Sequence, residues 1–177
     1  MLPDLYVQFA RYNEWMNERV HDLAGKLDHA DRVRDLGAFF GSVHLTLTHL
    51  LITDRAWLAR LTADPKQFRF LDSEGRRISV SSSSHDVYPD FEDLRLARRE
   101  TDSRLIDFAG TLTHEALTKH IQYVDSSGKR SDHPIWFAVS HLFNHQTHHR
   151  GQVTTLLKQL GLDPGVTDLG LYLRGEV

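Results

Sequence analysis

Apolar side chains recur every three or four residues through four stretches of the chain, which is the spacing of an amphipathic helix. The first stretch covers residues 2–27 and the second residues 36–61. The third begins at Pro89 and the fourth at Pro134, and proline is favoured in the first turn of a helix. Together the four stretches predict an all-α fold, a four-helix bundle.

The connections between these helices carry turn-forming residues. Residues 63–84, which end in four consecutive serines, predict a long connection. The helical pattern lapses after Gly110, and residues 119–131 predict a small β-hairpin before the last helix, with its turn at residues 125–128. Gly161 follows the last periodic residue of the fourth helix and predicts its end. At 177 residues the chain is expected to form a single domain over residues 1–177.

The second predicted helix carries one narrow polar strip among apolar residues. The members of this strip fall within about 60° of one another at helical spacing, and they are Ser42, Thr46, His49, Thr53 and Arg60. Such a strip is typical either of a helix that lines a wet cavity or of one solvent-facing seam on a mostly buried helix. Periodicity alone favours neither interpretation.

The fourth predicted helix contains four histidines within nine residues, and the chain has no cysteine. At about 100° per residue, His149 projects roughly 30° and His145 roughly 70° from the centre of the apolar face. His141 projects roughly 110° and His148 roughly 130° away from that centre, so His148 faces outward. Residues four apart are stacked neighbours on a helix, and two imidazoles at this spacing can reach one metal ion.

The same pair of histidines has a plainer interpretation. An inward histidine is commonly a hydrogen-bonded part of the core, and two of them at this spacing would each need a buried partner. On the residues alone, the core and metal interpretations are therefore about equally favoured. Catalytic zinc sites usually have three protein ligands and one open position, so a metal site requires a third ligand.

Separated segments resemble one known family. These segments are residues 12–18 (YNEWMNE), 49–58 (HLLITDRAWL), 144–152 (NHQTHHRGQ) and 168–174 (DLGLYLR), and they resemble the DinB family of the DinB/YfiT-like metalloenzymes in the same order. The resemblance implies a four-helix bundle that holds a metal ion through one histidine on the second helix and an HxxxH pair on the last. Carried over by motif, these ligands are His49, His145 and His149, and His49 then faces a cavity.

The implied function is that of a metal-dependent enzyme. Three imidazoles suit a divalent ion, with Zn²⁺ or Ni²⁺ expected and Fe²⁺ possible. The ion would activate water or a thiol for hydrolysis or transfer on a small-molecule substrate, and some relatives are thiol-dependent transferases or isomerases. The alternative is a non-catalytic metal-binding or stress-response bundle whose ion is structural or regulatory. The open coordination position favours the enzyme.

No general acid or base is evident in the sequence. Asp54 projects about 140° round the helix from His49, so a shared metal shell is not expected. A structural role is expected instead, either as a partner of Arg55 or in a bond to a neighbouring helix. His141 and His148 lie near the edge of the inward face, where they could shuttle protons, but the favoured interpretation is that they are surface histidines.

Composition limits the partners and the compartment. The net charge is −3, and the densest basic segment, residues 95–99, is flanked by acidic residues, so no nucleic-acid partner is expected. No apolar run approaches the ~20 residues of a membrane span, so no membrane partner is expected. The lack of cysteine and of a leader pattern favours a cytoplasmic protein.

A homodimer is also expected. The second helix is apolar around most of its circumference, and Phe40, Leu51 and Leu58 are interpreted as surplus apolar residues opposite the His49 strip. Relatives often pair through helices, and homo-oligomers prefer twofold symmetry.

Overall fold

The computed structural model describes residues 2–71, 74–80, 87–124 and 127–177, and within them the predicted bundle is confirmed. The long helices are α1 (Leu2–Ala24), α3 (Val43–Leu61), α4 (Phe91–Thr111) and α6 (Ile135–Gln159). The short helices are α2 (His29–Val33), α5 (His114–Thr118) and α7 (Leu169–Arg174), with a 3₁₀ turn at Pro65–Phe68. The strands are β1 (Phe70–Leu71), β2 (Arg77–Ile78), β3 (His120–Val124) and β4 (Arg130–Pro134). Among the described helices, none has the length and apolar character that a membrane crossing requires.

The second long helix begins later than predicted. It starts at Val43 because Ser42 caps it, accepting a hydrogen bond from the Leu45 backbone N–H at 3.2 Å. The preceding residues form a tight turn in which Ala38 and Gly41 pair as an isolated β-bridge. Gly41 has a φ of 77°, a conformation that other residues rarely adopt and that cannot belong to a helix.

Near the start of α1 the buried residue is Tyr6 and not Leu5, although the apolar spacing predicts that Leu5 faces the core. Leu5 is 38% exposed, whereas Tyr6 is only 3% exposed and its hydroxyl lies 2.8 Å from the Ser140 Oγ on α6. Further along, Tyr12, Met16 and Val20 are buried, as the three-or-four spacing predicted. The burial of α1 therefore follows the predicted three-or-four spacing from Tyr12 to Val20.

The predicted hairpin before the last helix is confirmed. Strands β3 and β4 pair antiparallel, from His120 opposite Pro134 to Val124 opposite Arg130, and Ile121 anchors them in the core. The predicted turn lies partly outside the described residues, and the serine run at 81–84 lies wholly outside them. A second hairpin, β1 with β2, lies in the segment that was expected to be only a connection.

The apolar residues that suggested a dimer are used within one chain. Leu51 and Leu58 are at most 1% exposed, because they pack in the core of the bundle. Phe40 is not opposite His49, since its ring stacks on the His49 imidazole with 4.0 Å between centroids. The argument for a homodimer from surplus apolar residues is therefore wrong. The homodimer itself stays a prediction.

A layer of buried polar groups separates two hydrophobic clusters of the core. Arg98 on α4 is at its centre and is 2% exposed. Its Nη1 lies 2.7 Å from the Asp54 Oδ2 on α3, and its Nη2 lies 2.8 Å from the Asp102 Oδ1 one turn away. Asp54 thus bonds a neighbouring helix rather than Arg55. A buried guanidinium shared by two carboxylates satisfies charges that would otherwise be costly to bury.

Side-chain amides extend this polar layer to the other two long helices. The Gln146 amide on α6 donates to the Asp54 carboxylate, and the Asn17 amide on α1 donates to the Asp102 Oδ1 at 2.9 Å. Arg150 on α6 donates to the Gln146 Oε1 at 3.0 Å and to the Asn13 Oδ1. The layer therefore links all four long helices through directional bonds.

We expect Asp54→Ala to destabilise the fold by about 3–5 kcal/mol, because it leaves the Arg98 charge buried with one partner fewer. Urea denaturation followed by circular dichroism measures the change in the free energy of unfolding. The control is Asp107→Ala, which removes an exposed carboxylate of α4 and should cost less than about 0.5 kcal/mol. Equal effects for the two variants would show that the buried ion pair contributes little.

The stability of the fold should also depend on pH through His21. Burial lowers the pKa of this imidazole to about 3, so it stays neutral in the folded state between pH ~6.5 and ~3 while the unfolded chain takes up a proton. Its contribution is present above pH ~6.5 and is lost as the pH falls. In His21→Phe, the decline in unfolding free energy on acidification should be shallower by about 1.4 kcal/mol per pH unit. An unchanged slope in His21→Phe would contradict this account.

Candidate metal centre

Three histidines from two helices meet beside the buried polar layer. His49 comes from α3, and His145 and His149 come from successive turns of α6. One ring nitrogen from each can be chosen so that all three atoms lie within 4.8 Å of one another. The Nε2 atoms of His49 and His145 are 3.1 Å apart. The structure therefore brings together the three side chains that the family motif indicated, and they could hold a metal ion.

The closest pair of ring nitrogens in the cluster has a spacing that fits a small divalent cation. Zinc–nitrogen bonds of about 2.0–2.1 Å in a tetrahedral site place two ligand nitrogens about 3.3–3.4 Å apart. The 3.1 Å between the His49 and His145 Nε2 atoms is close to that value. Imidazole nitrogens are also ligands that zinc, nickel and iron accept.

The tautomer of His149 suits a ligand role. Its Nδ1 lies 2.7 Å from the Oε1 of Gln152, one turn further along α6. An amide oxygen only accepts hydrogen bonds, so Nδ1 carries the proton and Nε2 keeps its lone pair. A ligand histidine is usually oriented in this way by a partner behind it.

The interpretation of His145 as an ordinary core histidine fits less well. Within the described parts of the chain, its Nδ1 is buried without a hydrogen-bond partner, and its Nε2 faces the Nε2 of His49. The 3.1 Å approach is within hydrogen-bonding distance, so a core His145 would have His49 as a partner for its Nε2 but no partner for its Nδ1. The convergence of a third imidazole, that of His149, favours the metal interpretation of the two that the residues alone left open.

The electrostatics of the cluster favour neutral imidazoles. Burial and the neighbouring histidines lower the pKa of His145 to about 3. Burial also lowers the pKa of His149, although its bond to Gln152 opposes that shift. A neutral imidazole is the form that binds a metal, so the fold keeps these rings ready at neutral pH.

An aromatic turn lies against the site, and the helical analysis missed it. The Phe40 ring lies 4.0 Å from the His49 ring and 5.4 Å from the His149 ring, measured between centroids. Phe39 packs edge-on against Phe40 at 4.8 Å and is 83% exposed. The helical pattern extends over residues 36–42 and places Phe40 opposite His49, but these residues form a turn that brings Phe40 against His49 instead. The glycines that flank this aromatic pair were the available signal for a turn.

The polar strip of the second helix does not form one continuous lining. Ser42 is the helix cap, and the Thr46 hydroxyl is buried and donates to the Ser42 carbonyl at 2.7 Å. The Thr53 Oγ1 is 3.5 Å from the His49 Nε2, while Arg60 lies over the Trp57 ring instead. Of the five residues in the predicted polar strip, His49 and Thr53 therefore lie at the candidate metal centre.

The remaining histidines of α6 lie outside the cluster. His148 is exposed, which agrees with its outward projection. His141 is also exposed, and its ring packs edge-on against Trp57 at 5.3 Å. Asp54 is committed to Arg98 and Gln146. In the described residues, no carboxylate joins the three imidazoles in a candidate metal cluster.

Comparison with known proteins agrees with this architecture. The sequence model of the DinB family matches residues 1–176. The chain is 25% identical to Protein DinB of Bacillus subtilis (strain 168) over 172 residues, which cover 97% of this chain and 95% of that protein. It also resembles the crystal structure of a DinB-like protein from Bacillus cereus ATCC 10987, with a TM-score of 0.59, 19% identity and coverage of 89% of this chain and 95% of that one. That structural likeness shows the fold, whereas the match of the family model extends over nearly every residue, and the chain therefore belongs to the DinB family.

Proposed function

We propose that this chain is a metal-dependent enzyme that acts on a small molecule, with a divalent cation bound by His49, His145 and His149. The observation that carries the proposal is the convergence of three imidazoles from α3 and α6, with one ring nitrogen of each within 4.8 Å of the others. Membership of the DinB family and the open coordination position that three ligands leave both support it.

The chemistry would follow from that open position. A divalent cation held there would supply Lewis-acid activation of water or a thiol, for hydrolysis or transfer on the substrate. Zn²⁺ or Ni²⁺ is expected and Fe²⁺ is possible, because all three accept imidazole ligands. Around the site, Gln152 orients His149, and the Phe40 ring excludes water from one side of His49.

One observation favours the alternative of a non-catalytic metal protein. Across the described residues, the three imidazoles have no carboxylate beside them that would act as a general base. A structural role for the ion is less well supported, since two hydrophobic clusters and the buried ion pairs hold the helices together without it. We therefore expect the circular dichroism of the helices to survive removal of the metal by a chelator, unlike that of a small zinc finger.

Alanine substitution of each proposed ligand tests the site. His49→Ala, His145→Ala and His149→Ala should each weaken metal binding by more than about 100-fold, since loss of even an outer-shell partner costs about 10–100-fold. His148→Ala is the matched control on the same helix, because His148 is exposed and lies next to His149. Metal content of the purified variants, measured by inductively coupled plasma mass spectrometry, gives the result. Loss of metal in His148→Ala with retention in His149→Ala would show that the ligand register is wrong.

The catalytic part of the proposal needs a separate assay. Metal-loaded protein should turn over at least one substrate in a screen of ester, amide and thiol-transfer reactions. The activity should disappear on chelation, return with Zn²⁺ or Ni²⁺, and be lost in His145→Ala. Metal binding with no chelator-sensitive turnover would favour the non-catalytic alternative.

A further inference from the structure

A cavity lies between α6, α1 and α7, on a different side of α6 from the candidate metal centre. Its volume is about 260 Å³, and Phe9, Tyr12, Phe143, Thr147, Arg150 and Leu169 are among the residues that line it. The three clustered histidines are not part of this lining. The cavity is therefore a separate feature from the candidate metal centre.

The charged group in the wall of this cavity is Arg150. The residue is 3% exposed, and its guanidinium carbon lies 5.6 Å from the centre of the Tyr12 ring in the same wall. Its Nη1 donates to the side-chain oxygens of Asn13 and Gln146. Among the residues that the structure describes, Nε and Nη2 have no hydrogen-bond partner. Arg150 thus has one edge bonded to the core and an Nε–Nη2 edge that is not bonded, in a residue that lines the cavity.

Arg150 also lacks a carboxylate of its own. Asp54 and Asp102 are both bound directly by Arg98, and Arg150 reaches them only through the amides of Gln146 and Asn13. An arginine guanidinium is a cation at neutral pH. Buried cations in proteins are ordinarily paired with an anion.

The shape of the Nε–Nη2 edge specifies the anion. A guanidinium presents parallel N–H groups that match the two oxygens of a carboxylate, and such paired hydrogen bonds are among the strong ones in proteins. The rings of Phe9 and Phe143 form an apolar part of the wall, which also contains the polar residues Ser140, Asn144 and Thr147. The volume is a little below the range of about 300–1,000 Å³ for pockets that hold drug-sized ligands, so the site suits a smaller molecule.

We propose that this cavity binds a small carboxylate with a flat apolar body, whose carboxylate pairs with Nε and Nη2 of Arg150 and whose body lies against Phe9 and Phe143. The site is independent of the proposed metal chemistry. A ligand of this kind is recognised by charge at one end and by burial of its ring at the other.

The probe is phenylacetate, and its uncharged amide, phenylacetamide, is the matched ligand. The titration uses ¹⁵N-labelled protein that has been stripped of metal by a chelator and then dialysed, so that neither the metal nor the chelator competes for the carboxylate. The readout is the Arg150 Nε–H resonance in the nuclear magnetic resonance spectrum. We expect phenylacetate to shift this resonance and phenylacetamide to bind at least about tenfold more weakly, the loss expected for one charge-assisted hydrogen bond.

Two variants locate the binding. Thr147→Phe places a ring in the cavity and should weaken phenylacetate binding at least tenfold. Thr155→Phe is its matched control, since both threonines are exposed on α6 and their hydroxyls donate to the carbonyl four residues earlier, at 3.0 Å and 2.9 Å. Arg150→Lys keeps the charge without the paired N–H groups and should also bind more weakly. If Arg150→Lys fails to fold, Thr147→Phe carries the test.

Three results would overturn the proposal. The first is no shift of the Arg150 resonance at the highest soluble phenylacetate concentration, and the second is equal affinity for the acid and the amide. The third is unchanged phenylacetate binding in Thr147→Phe. If the wild type binds no phenylacetate and sedimentation velocity shows that Thr147→Phe breaks a dimer, the cavity is instead part of an interface between copies of this chain.

Discussion

The pairing of Arg98 with two buried carboxylates is the constraint on which the arrangement of the helices depends. Asp54 and Asp102 lie on different helices, and each is at most 1% exposed, so neither carboxylate can be hydrated in the folded chain. Hydrophobic contacts alone are not directional, and they leave the rotation of a helix about its axis loosely determined. Bonds from one guanidinium to two carboxylates restrict that rotation, and the Gln146 and Asn17 amides carry the restriction to α6 and α1.

The rotation of α6 decides what each of its faces can do. Gln146 and Arg150, which bond into the polar layer, each follow directly after one of the clustered histidines, His145 and His149. Because Gln146 and Arg150 are fixed in the polar layer, the imidazoles of His145 and His149 are turned towards His49 on α3. Another face of α6 is turned towards α1 and α7, where Arg150 and Thr147 line the cavity that we propose binds a carboxylate. One buried network thus positions two different chemical environments on different sides of a single helix.

The features that follow from local periodicity were predictable, and the others depend on contacts between distant residues. The inward direction of His149 follows from helix geometry alone, and the hairpin follows from its turn residues. The position of Phe40 does not, because it is set by a turn in which Gly41 adopts a positive φ. The partners of Asp54 could not be read from spacing either, since Arg98 and Gln146 are 44 and 92 residues away along the chain. His49 became a candidate ligand only through the family motif, and its approach to His145 depends on how α3 packs against α6.

The central claim, that three histidines hold one divalent cation, is tested most directly by anomalous X-ray diffraction. Crystals of protein purified without chelators would be measured on both sides of the zinc and nickel absorption edges. The account predicts one anomalous peak that lies about 2.0–2.1 Å from one ring nitrogen of each of His49, His145 and His149. A peak bound by other residues, or the absence of a peak from crystals grown with either metal, would contradict it.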